Sequence, residues 1–224
     1  YKARWALSNR GIAYRYSEYT PIVGKLSMRF RVNRWSQPLT VPLMVTRTDT
    51  LLSSWEIAGY AQEYGTGWSL RTADPDVAHW NGVSDRILEL GRVRISRAIQ
   101  HHPEALKAAL PGGLRWMPGG RLIARYGAHY MLKTYPVDIS LDQLISDTEL
   151  LLTQIRSALN GKRYLLGEAS YADLAIASSL QMIRPVAPGI VPLNPDLHDV
   201  WSLHDLSESF ADLCSWRDDT MRNL

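Results

Sequence analysis

Apolar positions follow two different rhythms along this chain, and the change of rhythm predicts where one kind of architecture gives way to another. Residues 2–10 carry Ala3, Ala6 and Leu7 on one side of a helix that closes at Asn9-Arg10-Gly11, where Gly11 suits the left-handed position after a last turn. Residues 12–19 alternate and are rich in tyrosine, which predicts a strand. Residues 21–35 hold no sustained period and read as a loop with a short helix. Residues 43–45 and 50–52 flank a turn at 47–49 and predict a hairpin, after which residues 54–64 form a helix ended by Gly65 and Gly67. Residues 65–76 carry Gly, Ser, Thr and Pro without a period and read as a linker.

Beyond the linker the helical rhythm dominates. Trp80, Val83, Ile87, Leu90 and Val93 mark a helix over residues 79–100 that stops at His102-Pro103. A proline- and glycine-rich break covers residues 111–120, and helix resumes over 121–135. Leu141, Leu144, Ile145, Leu151, Leu152, Ile155 and Leu159 form one stripe over residues 140–159, stopped by Asn160-Gly161. Ser170-Tyr171-Ala172-Asp173 is a box-like helix start in which Asp stands where Glu or Gln is usual, opening a helix that runs toward Pro185. A proline-broken loop then leads to a last helix over 210–222.

Composition narrows the class without naming a function. With 46% apolar and 21% charged residues, the chain is a globular composition, and no apolar run approaches the roughly 20 residues needed to span a bilayer. The 25 basic and 22 acidic side chains leave +3, too little to make a nucleic-acid surface unless the charges cluster. Lys25, Arg29, Arg31 and Arg34, interleaved with Phe30 and Trp35, are such a group, but Glu18 stands near them, and no nucleic-acid partner is expected. Cys214 is the single cysteine, which rules out an intramolecular disulfide and fits a reducing compartment. Its neighbours Phe210, Leu213 and Trp216 predict an inert, buried thiol. His101 and His102 are adjacent rather than one helical turn apart, so no metal site is expected there. Arg86, Arg94 and Arg97 share helical spacing and either face an acidic ligand or form a solvated face with Asp85 and Glu89. The chain opens at Tyr1 directly inside a helical pattern, and part of the natural N-terminus is expected to precede it.

One pair of features combines into possible ligand chemistry. Pro42 stands at the mouth of the first hairpin strand, where a residue lacking an N–H is tolerated. A cis Val41-Pro42 bond would turn the Val41 backbone outward to pair with an extended ligand. Ser53 or Ser54 is a good N-cap, and the first-turn N–H groups behind it attract a carboxylate. A small peptide with an amide and a carboxylate would fit both; an edge-strand proline beside an ordinary capped helix would look the same.

The order of elements and four motifs together resemble the glutathione S-transferase superfamily, of the bacterial serine/cysteine type. The motifs are Lys2-Ala3-Arg4-Trp5-Ala6-Leu7 with Gly11-Ile12 and Tyr14; Thr40-Val41-Pro42-Leu43; Ser53-Ser54 with Ile57 and Tyr60; and Tyr164-Leu165-Leu166-Gly167 running into Ser170-Tyr171-Ala172-Asp173. The resemblance implies an α/β thioredoxin-like glutathione-binding domain at 1–66, its first strand truncated, a linker at 67–76 and an all-α domain at 77–224. It implies that Val41 and the cis-proline Pro42 hold the cysteinyl part of glutathione, and that Ser54 binds the γ-glutamyl carboxylate. Ser53 falls where many relatives carry the acid that holds the γ-glutamyl ammonium; a hydroxyl there brings no countercharge.

The same resemblance puts the catalytic serine or cysteine about four residues before Tyr1, and leaves Tyr1 lining the site. Its chemistry is lowering the thiol pKa of glutathione, the co-substrate, so that the thiolate attacks a small hydrophobic electrophile or serves thiol-dependent reduction, a serine upstream favouring conjugation and a cysteine thiol exchange. Trp80, Ser84, Ile87, Trp116 and Tyr126 are candidates for the second-substrate pocket, each equally suited to core packing. Ser170 and Asp173 are expected to be a structural cap. A cytoplasmic homodimer without metal or membrane partner completes the expectation, with a non-catalytic ligand- or protein-binding module of the same fold as the alternative.

Overall fold

The computed structural model of the chain describes residues 1–17, 41–108, 139–186 and 193–223, with short pieces at 28–29, 32, 110, 119–120, 122, 124–127 and 129. Among the described residues it is mostly helical, with one small antiparallel sheet. Helix α1, Lys2–Asn9, buries Lys2, Ala3, Ala6 and Leu7, and Gly11 follows it at φ +67, the left-handed conformation that a glycine adopts without a Cβ penalty. Strands β1, Met44–Val45, and β2, Thr50–Leu51, pair in the register Met44 with Leu51 and Val45 with Thr50. Thr46 fixes the turn between them: its Oγ1 accepts the N–H groups of Thr48 at 3.2 Å and Asp49 at 2.8 Å.

The expected strand at 12–19 does not form over its described part, residues 12–17. A strand needs a ladder partner, and here the alternating tyrosines turn instead to α1: Arg4 donates to the Tyr14 hydroxyl at 3.4 Å and lies 4.4 Å from the Tyr16 ring centroid. The loop expected at 21–35 lies mostly outside the described residues, as does most of the break at 111–120 and of the helix at 121–135.

Helix α2, Ser54–Tyr64, buries Ile57, Ala58 and Ala61 against α1. Its last turn is capped from outside by Arg10, a buried side chain that donates to the carbonyls of Ala61 at 3.1 Å, Gln62 at 3.0 Å and Trp68 at 3.1 Å, and to those of Gly65 and Gly67. A guanidinium suits this place because it carries five donors and complements the negative end of a helix. Gly67 is there because the chain doubles back so closely that a Cβ would overlap the Asn9 carbonyl.

Helix α3, Pro75–Gln100, starts with Asp74 as N-cap and proline in the first turn, so the expected linker at 67–76 ends two residues inside it. Helices α4, Pro103–Ala108, and α5, Leu141–Leu159, follow; Asn160 ends α5 in the left-handed region at φ +41. Helix α6, Tyr171–Ser179, is buried along its whole length and packs against α1, α3 and the C-terminal helix. It is shorter than the sequence period suggests, because residues 180–182 tighten into a 3₁₀ turn. The stretch after Pro195 holds two short helices that apolar spacing did not reveal, α7 (His198–Trp201) and α8 (His204–Ser209), before α9 (Ala211–Asn223). One apolar core joins both ends of the chain, running from Ala3, Ala6, Leu7 and Ile57 through Trp80 and Ile87 to Tyr171, Leu174 and Leu213.

Candidate functional site

The hairpin brings the segments that follow Pro42 and precede the serines together. The pairing ends at Met44 with Leu51: Val41-Pro42 lies two to three residues before Met44 and Ser53-Ser54 two to three residues after Leu51, so both lead off the open end of the hairpin. The Val41-Pro42 peptide bond is cis and the Val41 side chain is exposed. The two features that the sequence separates by ten residues therefore both lie at the open end of the hairpin.

At that end α2 begins. Ser53 is its N-cap, in extended conformation, and its Oγ accepts the Glu56 N–H at 3.1 Å. The Glu56 carboxylate turns back over the helix end and accepts the Leu52 N–H at 2.5 Å, an offset form of the capping box. Ser53 is thus committed to the helix. Ser54 is not: among the described residues its hydroxyl and its N–H have no partner, and neither has the Trp55 N–H. Those three donors leave the positive end of an 11-residue helix together, half-buried, in an arrangement that can receive a carboxylate. From below, the Tyr171 hydroxyl donates to the Ser54 carbonyl at 3.2 Å.

Compared with protein-family models, curated proteins and solved structures, the chain matches none.

The remaining candidates are placed differently. Trp80, Ser84 and Ile87 are buried on the inner face of α3, and the Ser84 hydroxyl donates to the Ala175 carbonyl at 2.7 Å, so these three serve helix packing. Tyr126 is 65% exposed, and Trp116 lies outside the described residues. The Ser170 and Asp173 cap forms as expected and is completely buried, with Asp173 accepting the N–H groups of Leu165 and Ser170, each at 2.9 Å. Burial pushes the Asp173 carboxyl up, and those hydrogen bonds oppose the shift.

The arginines of α3 do not converge on a ligand. Arg86 pairs with Glu89 at 2.7 Å and Asp147 at 3.2 Å, Arg94 is buried and donates to the carbonyls of Met182, Val200 and Trp201, and Arg97 donates to the Ile139 carbonyl at 2.7 Å. Asp85, expected to pair with an arginine, instead receives Lys2 at 2.7 Å. Cys214 is buried, and desolvation pushes its thiol above the ordinary range. No cluster of metal-ligating side chains occurs among the described residues, and no described helix is long and apolar enough to cross a membrane. Tyr1 is 44% exposed beside Trp5.

Proposed function

We propose that the chain binds glutathione along the Val41-Pro42 edge and the first turn of α2, and that it belongs to the glutathione S-transferase type, using the bound thiol against a small hydrophobic electrophile. The observation that carries this reading is the set of three unpartnered donors at Ser54 and Trp55, at the same open end of the hairpin as the exposed Val41. The γ-glutamyl carboxylate would take the Ser54 hydroxyl together with the two N–H groups. The Val41 backbone would pair with the cysteinyl amide. The thiol would face α1, whose positive end favours the thiolate over the thiol. The thiolate forms the new bond to carbon while the electrophile's leaving group departs, and the thiol proton passes to solvent.

A second reading is favoured by one feature. Glu56 places a carboxylate at the same helix end, where it repels an incoming carboxylate unless the ligand's ammonium offsets it, and Ser53 supplies no acid of its own. On that reading the fold binds a ligand or protein without thiol chemistry. Titration calorimetry with glutathione separates the two: saturable binding weakened by Ser54→Ala supports the enzyme reading, and no heat at millimolar glutathione leaves the non-catalytic one.

A further inference from the structure

We infer that Tyr171 is a positioning residue for the proposed carboxylate site, acting through the backbone carbonyl of Ser54; the inference rests on the glutathione reading above. Tyr171 is fully buried, at 0% exposure. It grips the start of α2 twice, through its hydroxyl on the Ser54 carbonyl at 3.2 Å and through its ring, which meets Trp55 edge-on at 5.5 Å between centroids. Its own N–H donates to the Leu70 carbonyl at 3.0 Å, so α6 holds α2 and the segment leading into α3 with one side chain and one amide.

The Ser54 carbonyl and the Trp55 N–H belong to one rigid peptide plane and point in opposite directions. A donor fixed on the carbonyl therefore fixes the direction in which the Trp55 N–H leaves the helix end. It also polarises the amide, which makes that N–H a better donor to an anion. Burial pushes the Tyr171 phenol well above its ordinary range, so the hydroxyl keeps its proton and remains a donor at neutral pH. Nothing in the Trp55 contact requires the hydroxyl, since a phenylalanine ring would make the same edge-on packing. The oxygen is thus free for a separate role, and the group it touches is the backbone of the residue whose hydroxyl and following amide stay unpartnered.

The test compares two peptides on two proteins by calorimetry: glutathione, and 4-aminobutyryl-cysteinyl-glycine, which is glutathione without its γ-glutamyl carboxylate. Tyr171→Phe is expected to weaken glutathione about three- to tenfold, the worth of one hydrogen bond, and to leave the shortened peptide unchanged. Equal glutathione affinity in both proteins overturns the inference, and so does an equal loss for both peptides, which a merely structural role would give. If Tyr171→Phe does not fold, Tyr171→3,5-difluorotyrosine keeps the ring and strengthens the donor, so glutathione should bind more tightly; unchanged or weaker binding overturns the inference. A wild-type chain that binds neither peptide contradicts the glutathione reading itself, an outcome distinct from a wild type that binds and a variant that matches it.

Discussion

The Lys2 ammonium is sealed from water and donates to the Asp85 carboxylate at 2.7 Å, bolting α1 onto α3. The lysine side chain is only 5% exposed and the aspartate 57%, so the two partners carry unequal burdens. Burial holds the lysine below its ordinary 10.5, and the attraction of Asp85 opposes that shift without cancelling it. The folded chain therefore sheds this proton at lower pH than the unfolded chain does. Between those two pH values the unfolded state binds more protons, so this site makes stability rise with pH across that window and level off above 10.5. Lys2→Met should abolish that rise, and urea unfolding of both proteins from neutral pH upward measures the difference. Asp85→Ala should destabilise by about 1–3 kcal/mol at neutral pH, because the buried ammonium keeps only Asn81.

Asp173 is more than an end cap. Its two oxygens accept the Leu165 N–H, the Ser170 N–H and the Ser170 hydroxyl, all buried. Losing a surface cap costs about 0.5–2 kcal/mol, but Asp173→Ala strands several donors away from water. A loss of about 3 kcal/mol or more is expected in chemical denaturation. A loss inside the surface-cap range would mean that water enters to replace the carboxylate.

Two glycines should respond to alanine with opposite signs. Gly67 lies against the Asn9 backbone, leaving no room for a Cβ, whereas Gly82 has nothing within 4 Å of where one would be built. Gly82→Ala should therefore gain about 0.5–1 kcal/mol of helix propensity. Gly67→Ala should lose about 2 kcal/mol or more through displaced backbone. Thermal unfolding of the two variants in parallel reads both.

Ser53 and Ser54 should divide their effects cleanly. Ser53→Ala removes the acceptor of the Glu56 N–H and is expected to cost about 1 kcal/mol of stability. Ser54→Ala removes a hydroxyl with no described partner, so stability should stay within about 0.5 kcal/mol while ligand affinity falls.

These contrasts follow how the sequence carried its information. Gly11, Asn160, the serine cap at 170 and the hairpin turn act through their own backbone or the next few residues and are legible locally, whereas Ser53 and Ser54 are equally good caps by sequence and Ser140 reads as part of its helix rather than its cap. The stripe of α5 is legible because burial follows its period, with Leu144, Leu152, Ile155 and Leu159 inside, although Leu141 at its first turn is exposed. Lys2, Arg10, Arg94 and Arg217 were not legible as interior residues. Each uses a long stem to carry its charge to carbonyls or to a carboxylate on a distant segment, and spacing along the chain holds no trace of that partner. The strand expected from the tyrosines at 14 and 16 failed for the same reason, since alternation does not reveal whether a ladder partner exists. Trp80, Ser84 and Ile87 show the period of a helix face, which is identical for a pocket wall and for a core.

The open donors at the start of α2 can be followed one by one through their amide chemical shifts. In a titration of the nitrogen-15-labelled chain with glutathione, saturable shifts are expected at the Ser54 and Trp55 amides and at Val41, moved to higher glutathione concentration by Ser54→Ala. Shifts confined to other regions, or none at millimolar glutathione, would contradict the glutathione reading.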